Sequence, residues 1–100
     1  MDKVLIVDDE DQIRCLLARL LGLEGYEVYE AEDCKAALKK MDTVSVDVAL
    51  CDVFLPDGNG VDLVLQMKKK HPETEIILLT AHGNIPDGVQ AIKNGAFDYI

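Results

Sequence analysis

The sequence predicts an α/β domain, a doubly wound parallel sheet with helices on both faces. Three observations carry this. Short β-branched apolar runs alternate with stretches in which apolar residues recur at helical spacing. The central runs have no polar side, as strands covered on both faces do not. Successive runs also end at a carboxylate or hydroxyl: Asp8, Asp52 and Thr80.

The first run is Val4-Leu5-Ile6-Val7, ending at Asp8. Ile13, Leu16, Leu17, Leu20 and Leu21 then share one face of an amphipathic helix, with Gly22 and Gly25 marking its end. Glu27 to Ala31 alternates around Val28, which suits a strand at the sheet edge. Asp33 is placed to cap a helix carrying Ala37, Leu38 and Met41 on one side. Val46 to Cys51 forms the third strand, terminated by Asp52, and Pro56, Gly58 and Gly60 impose a loop. A helix resumes from Val61 to Lys70, closed by Lys68, Lys69 and Lys70, which suit the carbonyl end of a helix dipole as a solvated last turn. Glu75 to Leu79 is the fourth strand. Ile85, Val89, Ile92 and Ala96 lie on the face of a fourth helix, with Pro86 in its first turn and Gly95 at its end; Asp98-Tyr99-Ile100 begins a fifth strand.

The 100 residues suffice for one core, so residues 1–100 are expected to form a single domain. Asp plus Glu is 19 against 10 Lys plus Arg, a formal net charge of −9 that disfavours nonspecific binding to nucleic acid or anionic membranes and favours a basic partner or a cation. No apolar run approaches a membrane span, and the start lacks a secretory layout, so the cytoplasm is the expected location. Cys15, Cys34 and Cys51 form no metal-binding spacing and read as buried small hydrophobes in a reducing compartment.

In open parallel sheets, ligands bind beyond the carboxyl ends of the strands, where strand order reverses. With the order 2-1-3-4-5, Asp8, Asp9, Asp52 and Thr80 converge there. Carboxylates held together repel unless a cation binds. An oxygen-only donor set with water completing the shell suits Mg²⁺. Asp52 is then a candidate nucleophile, able to hold a phosphoryl group as an acyl phosphate, with the Thr80 hydroxyl donating to that group. A mere capping role would explain Asp9 or Asp11, but Asp52 stands too far ahead of its helix.

The Val-Asp-Asp at 7 to 9, the segment Asp52-Val-Phe-Leu-Pro56-Asp-Gly-Asn-Gly60, Thr80-Ala81 and Lys93-Asn-Gly-Ala-Phe-Asp-Tyr-Ile100 together resemble the receiver (CheY-like) domains of two-component response regulators. The resemblance implies a flavodoxin-like sheet and phosphorylation of Asp52 by a sensor histidine kinase. It also implies Mg²⁺ held by Asp8, Asp9, Asp52 and the main-chain carbonyl of Phe54, Thr80 gripping the phosphoryl group, and Tyr99 as the switch aromatic. The output would be a changed surface around the fourth helix that regulates transcription. Thr80-Ala-His-Gly-Asn-Ile-Pro86 with Gly95-Ala-Phe-Asp-Tyr resembles the NtrC-like, sigma-factor-dependent activators, in which an ATPase and a DNA-binding domain follow, so DNA would be met only through such domains.

Receivers carry a Lys at the end of the fifth strand and then a last helix, whereas this sequence ends at Ile100. An apolar sheet surface is therefore expected to lie open on the face of the first helix, favouring a homodimer, exchange of strands or segments, or low stability. Two other readings compete. A haloacid-dehalogenase-like phosphotransferase or phosphatase would need Asp-x-Asp where this chain has Asp8-Asp9-Glu10, and a scaffold that is never phosphorylated would not need all the acids. His71 and His82 read as a helix-end and a loop histidine. Asp57-Gly-Asn59 lacks the rest of a calcium loop, and Gly58-Asn-Gly60 does not form a dinucleotide fingerprint.

Overall fold

The computed structural model describes residues 2–79, 89, 90 and 92–100, with Tyr99 through its backbone. Five parallel strands form one sheet: β1 (Lys3–Val7), β2 (Glu27–Ala31), β3 (Val48–Asp52), β6 (Glu75–Leu79) and β7 (Asp98–Tyr99), in the order β2-β1-β3-β6-β7. That is the expected 2-1-3-4-5. The two short strands β4 (Phe54–Leu55) and β5 (Gly58–Asn59) pair antiparallel with each other, so the stretch expected as loop folds into a small ribbon.

Helix α1 (Asp11–Leu23) passes through Gly22 and ends later than that residue suggested. The stop is Gly25 alone. Its N–H donates to Gly22 O, the N–H of Tyr26 donates to Leu21 O, and its φ of 98° is the left-handed conformation this helix ending requires. Helix α2 (Cys34–Thr43) starts as expected, with the Asp33 side chain accepting from Ala36 N–H at 2.7 Å. β3 begins two residues later than the apolar run because Val46, though buried, gives its carbonyl to the Thr74 hydroxyl at 2.7 Å. Asp52 is its last residue. Helix α3 (Gly60–Lys70) is capped by Asn59, whose side chain accepts from Val61 N–H at 2.7 Å. Its closing lysines are not all solvated: Lys68 Nζ donates to the carbonyls of Pro72 and Thr74, and Lys70 pairs with Asp42. Residues 89, 90, 92 and 93 are helical, ahead of Gly95 at φ 111°.

The register fixes what each sheet face carries. Leu5 stands beside Ala49 and Val7 beside Cys51, with Ile76 and Leu78 next in line on β6. All are buried, and with Leu63, Val64 and Met67 of α3 and Ala37 and Met41 of α2 they make the core. On the α1 face, Val4 and Ile6 are buried but Val28, Val48, Leu50, Ile77 and Leu79 are only partly covered. None of the residues of α1 is buried, and Leu16, Leu20 and Leu23 are 57%, 50% and 77% exposed. The apolar surface expected on this side is therefore present. The cysteine expectation needs correction: Cys51 is buried and Cys34 half-buried, but Cys15 is exposed because α1 sends its face into solvent.

At the end of the sheet away from the strand carboxyl termini, Asp42 accepts from Lys70 Nζ at 2.9 Å and lies 3.2 Å from His71 Nε2. These contacts hold the Asp42 carboxyl below the usual carboxylate range. A depressed folded-state value contributes stability above the unfolded-state pKa and loses it as pH falls through the folded value. Asp42→Asn should therefore lower the urea midpoint slightly near pH 7, and the difference from the unaltered chain should shrink as the pH falls through and below the carboxylate range, measured by circular dichroism across that series.

Candidate functional site

Parallel pairing of β1 with β3 sends both strands out of the sheet at the same edge. Asp8 follows Val7, whose partner is Cys51, and Asp52 follows Cys51. The carboxylates of Asp8, Asp9 and Asp52 consequently offer oxygens that all lie within 4.8 Å of one another. Asp8 and Asp52 are buried, and Asp9 is exposed at the rim.

Two of the acids are oriented in the same way. Asp8 Oδ1 accepts from Glu10 N–H at 2.9 Å and Asp52 Oδ1 from Phe54 N–H at 3.4 Å, each reaching the backbone two residues on. Such turns fix the direction of a short acidic side chain. The backbone of Asp8 is held as well: its N–H donates to Ala31 O at 3.0 Å, and its carbonyl accepts from Arg14 Nη1 at 2.7 Å. Arg14 is in turn gripped by Asp11 and Glu30.

The other wall rests on a glycine. A Cβ at Gly60 would overlap the carbonyl oxygen of Asp52 and sit 3.0 Å from its carbonyl carbon and 3.1 Å from Leu78 Cδ1. Gly60 N–H also donates to Val53 O at 2.7 Å. The first residue of α3 is thus pressed against the main chain of Asp52, a distance only glycine permits.

Sequence reasoning missed the parts played by Arg14 and Gly60. A signal for Arg14 was available, since a cation in the first turn of a helix opposes the dipole and asks for another reason to be there. Gly60 showed only as a loop former. Among the expected site residues, Asp8, Asp9 and Asp52 are brought together. Phe54 lies in β4 two positions beyond Asp52, with its side chain exposed. Thr80 and His82 lie outside the described residues, as does the side chain of Tyr99. Leu79, the residue before Thr80, pairs with Asp52, and Tyr99 pairs through its backbone with Leu78.

The donor set fits a hard divalent cation: three carboxylates, no imidazole and no thiolate. The nearby thiols do not compete as nucleophiles. Burial pushes Cys51 up to about 12, and burial together with Asp57 does the same for Cys34, so both stay protonated. Among the described residues no helix is long and apolar enough to cross a membrane.

The comparisons agree with this geometry. The family model described as "Response regulator receiver domain" matches residues 4–100. The response regulator protein PilR of Pseudomonas aeruginosa is 41% identical over 98 residues, 98% of this chain and 22% of its own length. The solution structure of the beryllofluoride-activated NtrC4 receiver domain dimer superposes with a TM-score of 0.91 at 37% identity, covering 99% of this chain and 82% of that one. A Burkholderia pseudomallei response regulator, solved with a phosphorylated aspartic acid, calcium ion and citrate, superposes with a TM-score of 0.94 at 30% identity, covering 99% and 58%. The chain spans 22% of PilR, 22% of the regulatory protein AtoC of Escherichia coli and 42% of the transcriptional regulatory protein CpxR of Klebsiella pneumoniae, less than half the length of these curated relatives. Fold, acidic cluster and sequence lead to one family, and the chain belongs to the response regulator receiver domains.

Proposed function

We propose that Asp52 is the phospho-acceptor of a phosphorylation-switched signalling domain comprising residues 1–100, and that a sensor histidine kinase is its donor. The observation that carries this is the convergence of three carboxylates, from the ends of β1 and β3, on one small volume. A carboxylate oxygen of Asp52 attacks phosphorus in line with the phosphohistidine nitrogen. The O–P bond of an acyl phosphate forms, the P–N bond breaks, and the electron pair returns to the imidazole. Asp8, Asp9 and Asp52, with the main-chain carbonyl of Phe54, would hold Mg²⁺, which when bound offsets their mutual repulsion and the charge of the phosphoryl oxygens.

The backbone does the positioning. Gly60 and the Asn59-capped start of α3 fix the main chain of Asp52, while Arg14 fixes that of Asp8. Thr80, which follows the residue paired with Asp52, would contact the phosphoryl group, and Tyr99 would respond as the switch aromatic. The output is a changed surface around the helix that includes residues 89, 90, 92 and 93, acting on transcription through domains beyond this one, where contact with DNA would also lie. This is a cytoplasmic self-phosphorylating switch rather than a turnover enzyme. The adjacent pair Asp8-Asp9 does not supply the Asp-x-Asp of a haloacid-dehalogenase-like phosphatase. A homodimer is supported by the exposed apolar strip of α1 and the half-covered sheet beside it. The NtrC4 receiver was likewise solved as a dimer.

Incubation with acetyl phosphate and Mg²⁺ should add one phosphoryl group by intact mass, and none with a chelator or in Asp52→Asn. Labelling that persists in Asp52→Asn would overturn the assignment, rapid multiple turnover of phosphate esters would favour a phosphatase, and no labelling under any condition a scaffold. Gly60→Ala should slow labelling on the order of tenfold or more and lower stability by about 1–3 kcal/mol, measured by the same mass assay and by urea unfolding. In sedimentation, self-association should strengthen with salt, which screens the −9 charge, and weaken in Leu20→Glu. A monomer at all salt and protein concentrations would remove the dimer.

A further inference from the structure

The ribbon β4–β5 carries Phe54 but has only two residues per strand, too few to hold its own position in water. One end is fixed by Asp52, Gly60 and the Asn59 cap. The tip is fixed from elsewhere. Asp57, in the turn, reaches back across more than twenty residues of sequence: its Oδ1 accepts from Cys34 N–H at 2.8 Å and its Oδ2 from Lys35 N–H at 3.0 Å. Asp33 takes Ala36 N–H, so two carboxylates satisfy the three leading amides of α2, which a helix cannot pair internally. Gly58 is pressed to the same place, since a Cβ there would stand 3.1 Å from Cys34 Sγ. The amides of Cys34 and Lys35 hold the Asp57 carboxyl below its ordinary range, as bonds to a charged acceptor do.

We infer that Asp57 is a positioning residue for the metal site, clamping the ribbon tip to the start of α2 so that the Phe54 carbonyl is presented at a fixed distance from Asp52. The inference rests on the metal reading above. A carboxylate several residues from the ligands acts here as outer-shell partners of metal ligands generally do, by removing freedom from the group that binds. Coupling of this kind is reciprocal: a clamp that favours the cation must itself be tightened by the cation.

The test is a Mg²⁺ titration of the full chain followed by amide NMR, with hydrogen exchange at Cys34 and Lys35 as a second readout. Asp57→Ala should weaken Mg²⁺ binding about tenfold. Asp57→Asn, which keeps one acceptor oxygen, should fall between it and the unaltered chain. Asp33→Ala, which loosens the same helix end without touching the ribbon, should leave Mg²⁺ affinity within about twofold. Mg²⁺ should also raise protection of the Cys34 and Lys35 amides in the unaltered chain and not in Asp57→Ala. Equal Mg²⁺ affinity in Asp57→Ala and the unaltered chain would overturn the inference alone, as would an equal loss in Asp33→Ala. Failure of the unaltered chain to bind Mg²⁺ would overturn the metal reading and this inference with it.

Discussion

The parallel register of β1 against β3 is the constraint on which the rest depends. Val4 pairs with Val48 and Val7 with Cys51, and from that alignment Asp8 and Asp52 leave the sheet side by side. The alignment is set by burial. A slip of β1 by one residue would turn Leu5 and Val7 away from α2 and α3 and onto the partly covered face. Fully burying a Leu or Val side chain is worth roughly 1.5–3 kcal/mol, so gains of that size hold the register. The spacing of the acids is therefore a by-product of the core: the same alternation that packs the sheet determines how close two carboxylates stand.

That closeness works against stability, and the local structure is organised around it. Each buried acid gives one oxygen to a backbone N–H two residues on, which fixes its direction. Main-chain atoms on either side are then held by groups with no chemistry of their own. Arg14 takes the Asp8 carbonyl, and Gly60 gives up a side chain so that α3 can begin against Asp52. A cluster built this way keeps its charge available to a cation while leaving little freedom to rearrange when one binds, which is what preorganisation requires.

Much of this was legible in the sequence because it follows from short-range pattern. Apolar runs gave the strands, helical spacing gave α1 to α3, and the carboxylates ending the first and third runs gave the acid cluster; Asp33 declared itself as a cap by standing before a helix. What remained hidden depends on contacts distant along the chain. Asp57 reads as one more turn residue until the fold brings it to the amides of Cys34 and Lys35. Gly60 reads as a loop glycine until α3 lies against Asp52. The ribbon at Phe54–Asn59 is too short for any periodicity, and Gly22 misled because a helix tolerates a glycine in its last turn at modest cost. Cys15 was misjudged for a different reason: its residue type is buried on average, but the core lies on the other face of the sheet, and no residue of α1 is buried.

The two faces of the sheet are thus unequal, and the inequality has a direction. Among the described residues, most of the buried apolar side chains lie between the sheet and α2 and α3, and the ribbon, the Asn59 cap and the Asp57 clamp belong to that side. Helix α1 has no buried residue and is tied down near its start by Arg14 and at its end by the Gly25 turn. Local opening is least costly where few apolar contacts are lost, so α1 is the element most readily displaced, while Asp52 is anchored in the part that yields last. Asp8 stands at the junction, with its strand in the core and its carbonyl held by a residue of α1. Whatever binds or shifts α1 therefore bears directly on one side of the acid cluster, through the Arg14 guanidinium and the N–H of Glu10 at the helix start, and leaves the other side where the core has set it.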